Sequence, residues 1–209
     1  PTVELYDMKN DPWEINNLAD KPEYKIVQEE LFGKLIDNAI NTKNASFIPE
    51  SELIEINRTG TIYEYAQSEN YPIEQIVDVA IKSATGNEDN YALFQKGITH
   101  KNATVRYWSL MGLTRIATQE WDTQQAIKEL LNDDCPDVAI LAAKTLYQIG
   151  QTGIASETIS KYLNDEHLGI KLIAINAIQQ IGDGAFAHFK SQLDSIYKLN
   201  SLKDEGSNT

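Results

Sequence analysis

The sequence predicts an all-α protein: an α-solenoid of stacked helical hairpins, preceded by a short strand, a turn and a helix. Between about Tyr91 and Gly182 two helical patterns recur at spacings of 33 and then 32 residues, which marks a repeat array. Amphipathic helical stretches flank that block on both sides, as half-repeat caps must, because each repeat buries its apolar face only against its neighbours. Glu4 to Met8 alternates apolar and polar residues as a strand does.

Taken in order, Asn10-Asp11-Pro12 turns the chain after that strand, and a helix is expected to follow. Asp11 is placed as N-cap, Pro12 at the first helical position and Glu14 three residues after the cap. Tyr24 to Asn41 carries Val27, Leu31, Leu35 and Ala39 on one stripe and reads as a helix of nearly five turns. Asn41 to Pro49 is a polar loop. Pro49 to Ser68 holds two short helical stretches broken at Arg58-Thr59-Gly60. Ile73, Ile76, Val77 and Ala80 form the upstream cap, and Phe186, Phe189, Leu193 and Ile196 the downstream one.

Within the repeats, Val105, Leu110, Leu113 and Ile116 match Val138, Ala143, Leu146 and Ile149, and then Ile170, Ile175, Ile178 and Ile181. In the first helices Phe94 and Ile98 match Ile127 and Leu131, then Ile159 and Leu163. The second helices are expected to end at Ala117, Gly150 and Gly182, with Asn102 and Asp134 as caps of two of them. Ser201 to Thr209 has no apolar spacing and is expected to be disordered. The implied domains are residues 1–45 (strand, turn and helix), 46–72 (connector), 73–199 (solenoid with caps) and 200–209 (tail).

A net charge of −13 is concentrated in the first 90 residues, which hold 7 Lys and Arg against 18 Asp and Glu, a net −11. The repeat block is almost neutral. Phosphate-backbone binding requires clustered cations, so nucleic acid is excluded as a general partner. No run of apolar residues is long enough for a membrane span. Cys135 is the single cysteine, which rules out an internal disulfide and a cysteine-rich zinc site.

Val3-Glu4-Leu5-Tyr6-Asp7-Met8 followed by Asp11-Pro12-Trp13-Glu14 and Asn17-Leu18-Ala19 resembles the closing segment of type I sulfatases, of the form E-L-Y-D-L-x-x-D-P-x-E-x-x-N-L-A. The repeats resemble short HEAT-like, armadillo-like units, and Val105-Arg106-Tyr107-Trp108 with Leu110-x-Gly112-Leu113 is similar to the opening repeat appended behind the catalytic part of some sulfatases. The resemblance implies a non-catalytic C-terminal accessory module, with its catalytic domain upstream as the first partner. The complete protein would hydrolyse sulfate esters or sulfamates of sulfated glycans with formylglycine and calcium, in a periplasmic, secreted or lysosome-like compartment. No catalytic, cofactor-binding or metal-binding residue, and no cofactor, is expected in this chain, so the isolated chain is expected to be inactive. The alternative is a free-standing HEAT-like scaffold that binds a protein partner or itself.

Cys135-Pro136-Asp137-Val138-Ala139 lacks the spacing and the arginine of the sulfatase C/S-x-P-x-R pattern, and reads as a turn at a helix start. His100, His167 and His188 lie far apart, two of them in equivalent turns. The turns Asn87 to Asn90, Asn132 to Asp134 and Asn164 to Glu166 lack the order of a calcium loop and read as caps. Arg106 and Lys171 share a repeat position, with Trp108 beside the first, and these three are the candidate surface contacts. Structural roles compete with that assignment: Arg106 can pair with Asp133, Asp134 or Asp137, and Trp108 can fill a gap between repeats. The strand, without partner strands in this chain, is expected to fray, to pair with another molecule, or to rest on the helices.

Overall fold

The computed structural model describes residues 3–116 and 119–206, and the fold is all-α. The helices are α1 (Lys25–Asn41), α2 (Glu50–Thr59), α3 (Ile62–Gln67), α4 (Ile73–Thr85), α5 (Tyr91–Gly97), α6 (Ala103–Ile116), α7 (Trp121–Glu129), α8 (Pro136–Gln148), α9 (Thr152–Leu163), α10 (Leu168–Ile181) and α11 (Asp183–Gly206). Single 3-10 turns precede α1, α2 and α5, and another follows α7.

The repeat periodicity becomes pairs of helices, α5 with α6, α7 with α8 and α9 with α10. The second helices pack in succession, α4 on α6, α6 on α8 and α8 on α10, and α11 closes the series against α10. The matched apolar positions form the core: Phe94, Leu110, Leu113, Ile127, Val138, Leu146, Ile159 and Ile178 have no exposed surface. Each such side chain contributes about 1.5–3 kcal/mol by leaving water. A smaller core of Ala39, Ile48, Ile56, Ala66, Tyr71, Ile73, Ile76, Val77 and Val105 joins α1 through α4 to the first repeat. Trp108 packs against both clusters and is the seam between them.

Local chemistry sets the boundaries. Gly60 follows α2, and Thr61 starts α3 with a capping box in which its hydroxyl accepts from the Glu64 N–H while Glu64 accepts from the Thr61 N–H. Asn102 caps α6 through its Oδ1, which accepts from the Val105 N–H at 3.1 Å. Gly150 and Gly182, at φ 89° and 103°, turn the chain after α8 and α10. Ala117, the expected end of the remaining second helix, lies outside the described residues.

Four expectations are corrected. Glu4 to Met8 is not a strand, and no strand occurs among the described residues. The segment is held to residues 17–18 by one backbone bond, Leu18 N–H to the Leu5 carbonyl at 2.8 Å, and otherwise by the Asn17 side chain, which accepts from Leu5 N–H and donates to the Val3 carbonyl. One bond does not make a ladder. No helix starts at Asp11 either. Its carboxylate accepts from the N–H groups of Ile15 and Asn16, but Glu14 takes φ 54°, a left-handed conformation that a helix cannot propagate through. The cap position of α8 is Cys135 rather than Asp134, because Asp134 is turned toward Arg106. Finally, α11 runs on to Gly206, so the expected tail is helical as far as that residue, and 207–209 lie outside the described residues.

The stripe on α1 is also used differently from a core helix. Ala39 is buried, with Ile36 and Ile40 packed into the smaller core, whereas Val27, Leu31 and Leu35 are 45%, 47% and 61% exposed. No helix of the described residues is long and apolar enough to cross a membrane.

Candidate functional site

The turns between first and second helices carry the polar chemistry of this chain. At the repeat spacing, His100 Nδ1 accepts from the Asn102 N–H, Asp133 Oδ1 from the Cys135 N–H and Asp165 Oδ1 from the His167 N–H, at 3.0, 2.9 and 2.8 Å. His167 then caps α10 by accepting from Gly169 N–H. These side chains satisfy backbone donors at helix starts, which is why Asp, Asn and His recur there. Asn87 does the same for Asp89.

Arg106, near the start of α6, is 9% exposed and uses all five N–H donors. Nε and Nη2 hold Asp133 in a fork at 2.7 Å each, Nη2 also reaches Asp134, and Nη1 donates to the carbonyls of His100 and Lys101 at 2.9 and 3.1 Å. Burial works against the guanidinium, but the Asp133 and Asp134 carboxylates outweigh it and hold its pKa above the ordinary arginine value. With no donor left, Arg106 is a tie between consecutive turns and not a surface contact. Trp108 is half-buried: its indole N–H donates to the Phe47 carbonyl at 2.9 Å, and its ring meets Phe47 and Tyr107 edge to face. Lys171 is half-buried at the matching position of α10, and Ala139 between them is fully buried. Two of the three candidates are therefore committed to packing.

The connector lies across these turns as a strap. Phe47 receives Trp108 of the first repeat. Ser51, in the first turn of α2, meets the first turn of α8: its N–H donates to Asp137 Oδ2 at 2.7 Å, and its Oγ accepts from the Asp137 N–H at 3.1 Å. Each helix start thus supplies the cap of the other. Cys135 Sγ lies 3.5 Å from Ser51 Oγ. Ile54 reaches the third repeat, so close to Gly169 that a Cβ there would sit 3.0 Å from its Cδ1. Farther on, the Asn102 amide donates to Tyr65 Oη and to the Asn70 carbonyl, at 3.0 and 2.9 Å.

Between these attachments α2 stands off the turns over a cleft of ≈ 590 Å³, lined by Glu52, Ile54, Tyr65, Arg106, Asp134 and Ile170 among others. Burial and the neighbouring Asp134 carboxylate push the Glu52 carboxyl up, and Arg106 offsets part of this. Burial also pushes Asp137 up, against two bonds from Ser51 that favour its ionised form. Burial pushes the Cys135 thiol up to about 11, which disfavours its thiolate while it stays buried. Its place at the start of α8, buried against Ser51, does not suit maturation to formylglycine, and no reaction step is derived through it. His188 packs edge to face on Tyr147 and Phe189, far along the chain from the turn histidines.

Sequence reasoning missed Ser51, Ile54 and the Asn102 to Tyr65 bond, and it offered Asp137 as a partner for Arg106, whereas Arg106 takes Asp133 and Asp134 and Asp137 bonds to Ser51. Pro49-Glu50-Ser51-Glu52 is legible as a helix start, but nothing local names a partner 86 residues away. Comparison with family models, with curated proteins and with solved structures finds no match to this chain.

Proposed function

We propose that this chain is the non-catalytic, HEAT-like C-terminal module of a sulfatase, and that residues 1–45 dock it onto the catalytic domain. The observation that carries the docking is the apolar surface that α1 leaves open. Val27, Leu31, Phe32 and Leu35 are 40% to 61% exposed, and the last three line a groove of ≈ 290 Å³ with Val3, Glu4 and Leu5. Trp13 and Ile15 are exposed nearby in sequence, at 83% and 75%. Apolar surface gathered in this way is characteristic of an interface rather than of a free face. The sulfatase-like motif lies in the same segment, which supports the same partner.

The succession of second helices, with α4 and α11 as caps, supports the solenoid reading, in which the module is a rigid extension beside the active site. Formylglycine and calcium belong to the catalytic domain, as do hydrolysis of sulfate esters or sulfamates on sulfated glycans and a periplasmic, secreted or lysosome-like compartment. The gene tests this directly: an open reading frame extending several hundred residues upstream through C/S-x-P-x-R supports the proposal. A frame opening just ahead of Pro1 refutes it. The isolated chain should show no turnover of aryl sulfate, whereas Leu31→Glu in the full-length protein should weaken the packing of module on enzyme, read as faster proteolytic release of the module.

A further inference from the structure

We propose that α2 is a strap that lifts from the helix starts of α8 and α10, hinged on the smaller core at Ile48 and Ile56, while the repeats behind it stay folded. Of its ten residues only Ser51 and Ile56 are buried, and α3 buries only Ala66, whereas α8 beneath buries nine of thirteen. Ile56, with Ile48 just ahead of α2, is anchored in the smaller core beside Val105 of the first repeat, whereas toward α8 and α10 the strap is held by polar bonds and by Ile54. Segments with few buried apolar contacts are those that open locally, at a fraction of the global unfolding free energy.

Two features favour release. Ser51, Glu52, Ile54, Glu55 and Arg58 of α2 share a cleft of ≈ 590 Å³ with the turns, so this side of the strap is not closely packed on them. Glu52 on the strap faces Asp134 on the turn, two carboxylates of like charge that Arg106, already shared between Asp133 and Asp134, compensates only in part. The opposing fastener is the reciprocal Ser51 and Asp137 capping, whose loss leaves two helix starts short of a partner at once. Opening would uncover the edge formed by the starts of α8 and α10 and give a partner access to it.

The chain contains its own reporter, because Cys135 is the single cysteine and is 3% exposed beneath the strap. The experiment measures the rate at which an aromatic disulfide reagent modifies Cys135 in the native protein and in Ile54→Ala and Ser51→Ala. A variant of the repeat core, Leu146→Ala, is followed in parallel with all melting curves. Ile54 does not hydrogen-bond to the thiol, so its truncation reports on the strap and not on sulfur reactivity. Expected is at least tenfold faster labelling in Ile54→Ala and Ser51→Ala, with the cooperative melt of the repeats retained, and faster hydrogen exchange in α2 than in α8. Unchanged labelling in both strap variants overturns the proposal. So does equal acceleration by Leu146→Ala at matched stability, since the thiol would then be reached through global unfolding.

Discussion

Arg106 and Asp137 show how single residues divide the work of the turns. Asp133, its side chain 5% exposed, accepts the two-pronged Arg106 fork and the Cys135 N–H. Removing one partner of a buried pair leaves an uncompensated ion, so Arg106→Ala should cost about 3–5 kcal/mol in urea denaturation. Arg106→Lys should recover less than half of that loss, because an ammonium cannot span two carboxylates and two carbonyls. Asp137 supplies a pH test. Burial raises its folded carboxyl above the ordinary value of 3.8, so the native state holds this proton more tightly than the unfolded chain. Its stabilising contribution is therefore full below the unfolded value and is lost as pH rises through the folded one. Melts of the native chain and Asp137→Asn, taken from about pH 4 upward, should show the native chain's relative stability falling with pH.

At the scale of elements, α5 and α6 approach closely because glycines stand where their side chains cross. A Cβ on Gly112 would lie 2.5 Å from ring carbons of Phe94, and one on Gly97 would meet Ser109. Gly112→Ala should therefore destabilise by about 1–3 kcal/mol through overpacking. Gly33, in the middle of α1, has nothing within 4 Å of a Cβ, and Gly33→Ala should stabilise by about 1 kcal/mol from helix propensity alone. Both are read from thermal or urea melts. Helix positions in the repeat block were legible because apolar spacing and the turn chemistry agree there. The first twenty residues were misread because alternation and a capping pattern describe what a backbone prefers locally. Glu14 in a left-handed conformation and Asn17 as a bonding hub were settled by contacts between residues 3–5 and 17–18.

Over the whole molecule, a neutral repeat block is joined to an acidic amino-terminal part that leaves apolar surface open. If that surface serves a partner and not the fold, Leu31→Glu combined with Leu35→Glu should leave the thermal midpoint of the isolated chain within about 2 °C, since neither residue is buried. Binding of a hydrophobic dye should fall in the same variant; a cooperative loss of structure would show instead that the stripe belongs to the core. The sequence by itself determined the helical class and the positions of the paired helices α5 to α10, because periodicity and residue type act within a few turns of chain. The tertiary structure alone decided which carboxylates of the next turn Arg106 takes, that the connector lies across the turns, and that Ser51 and Asp137 cap each other. Those partners lie from 27 to 86 residues apart, and only the stacking of repeats, which sets which turn lies beside which, brings them within the range of a hydrogen bond.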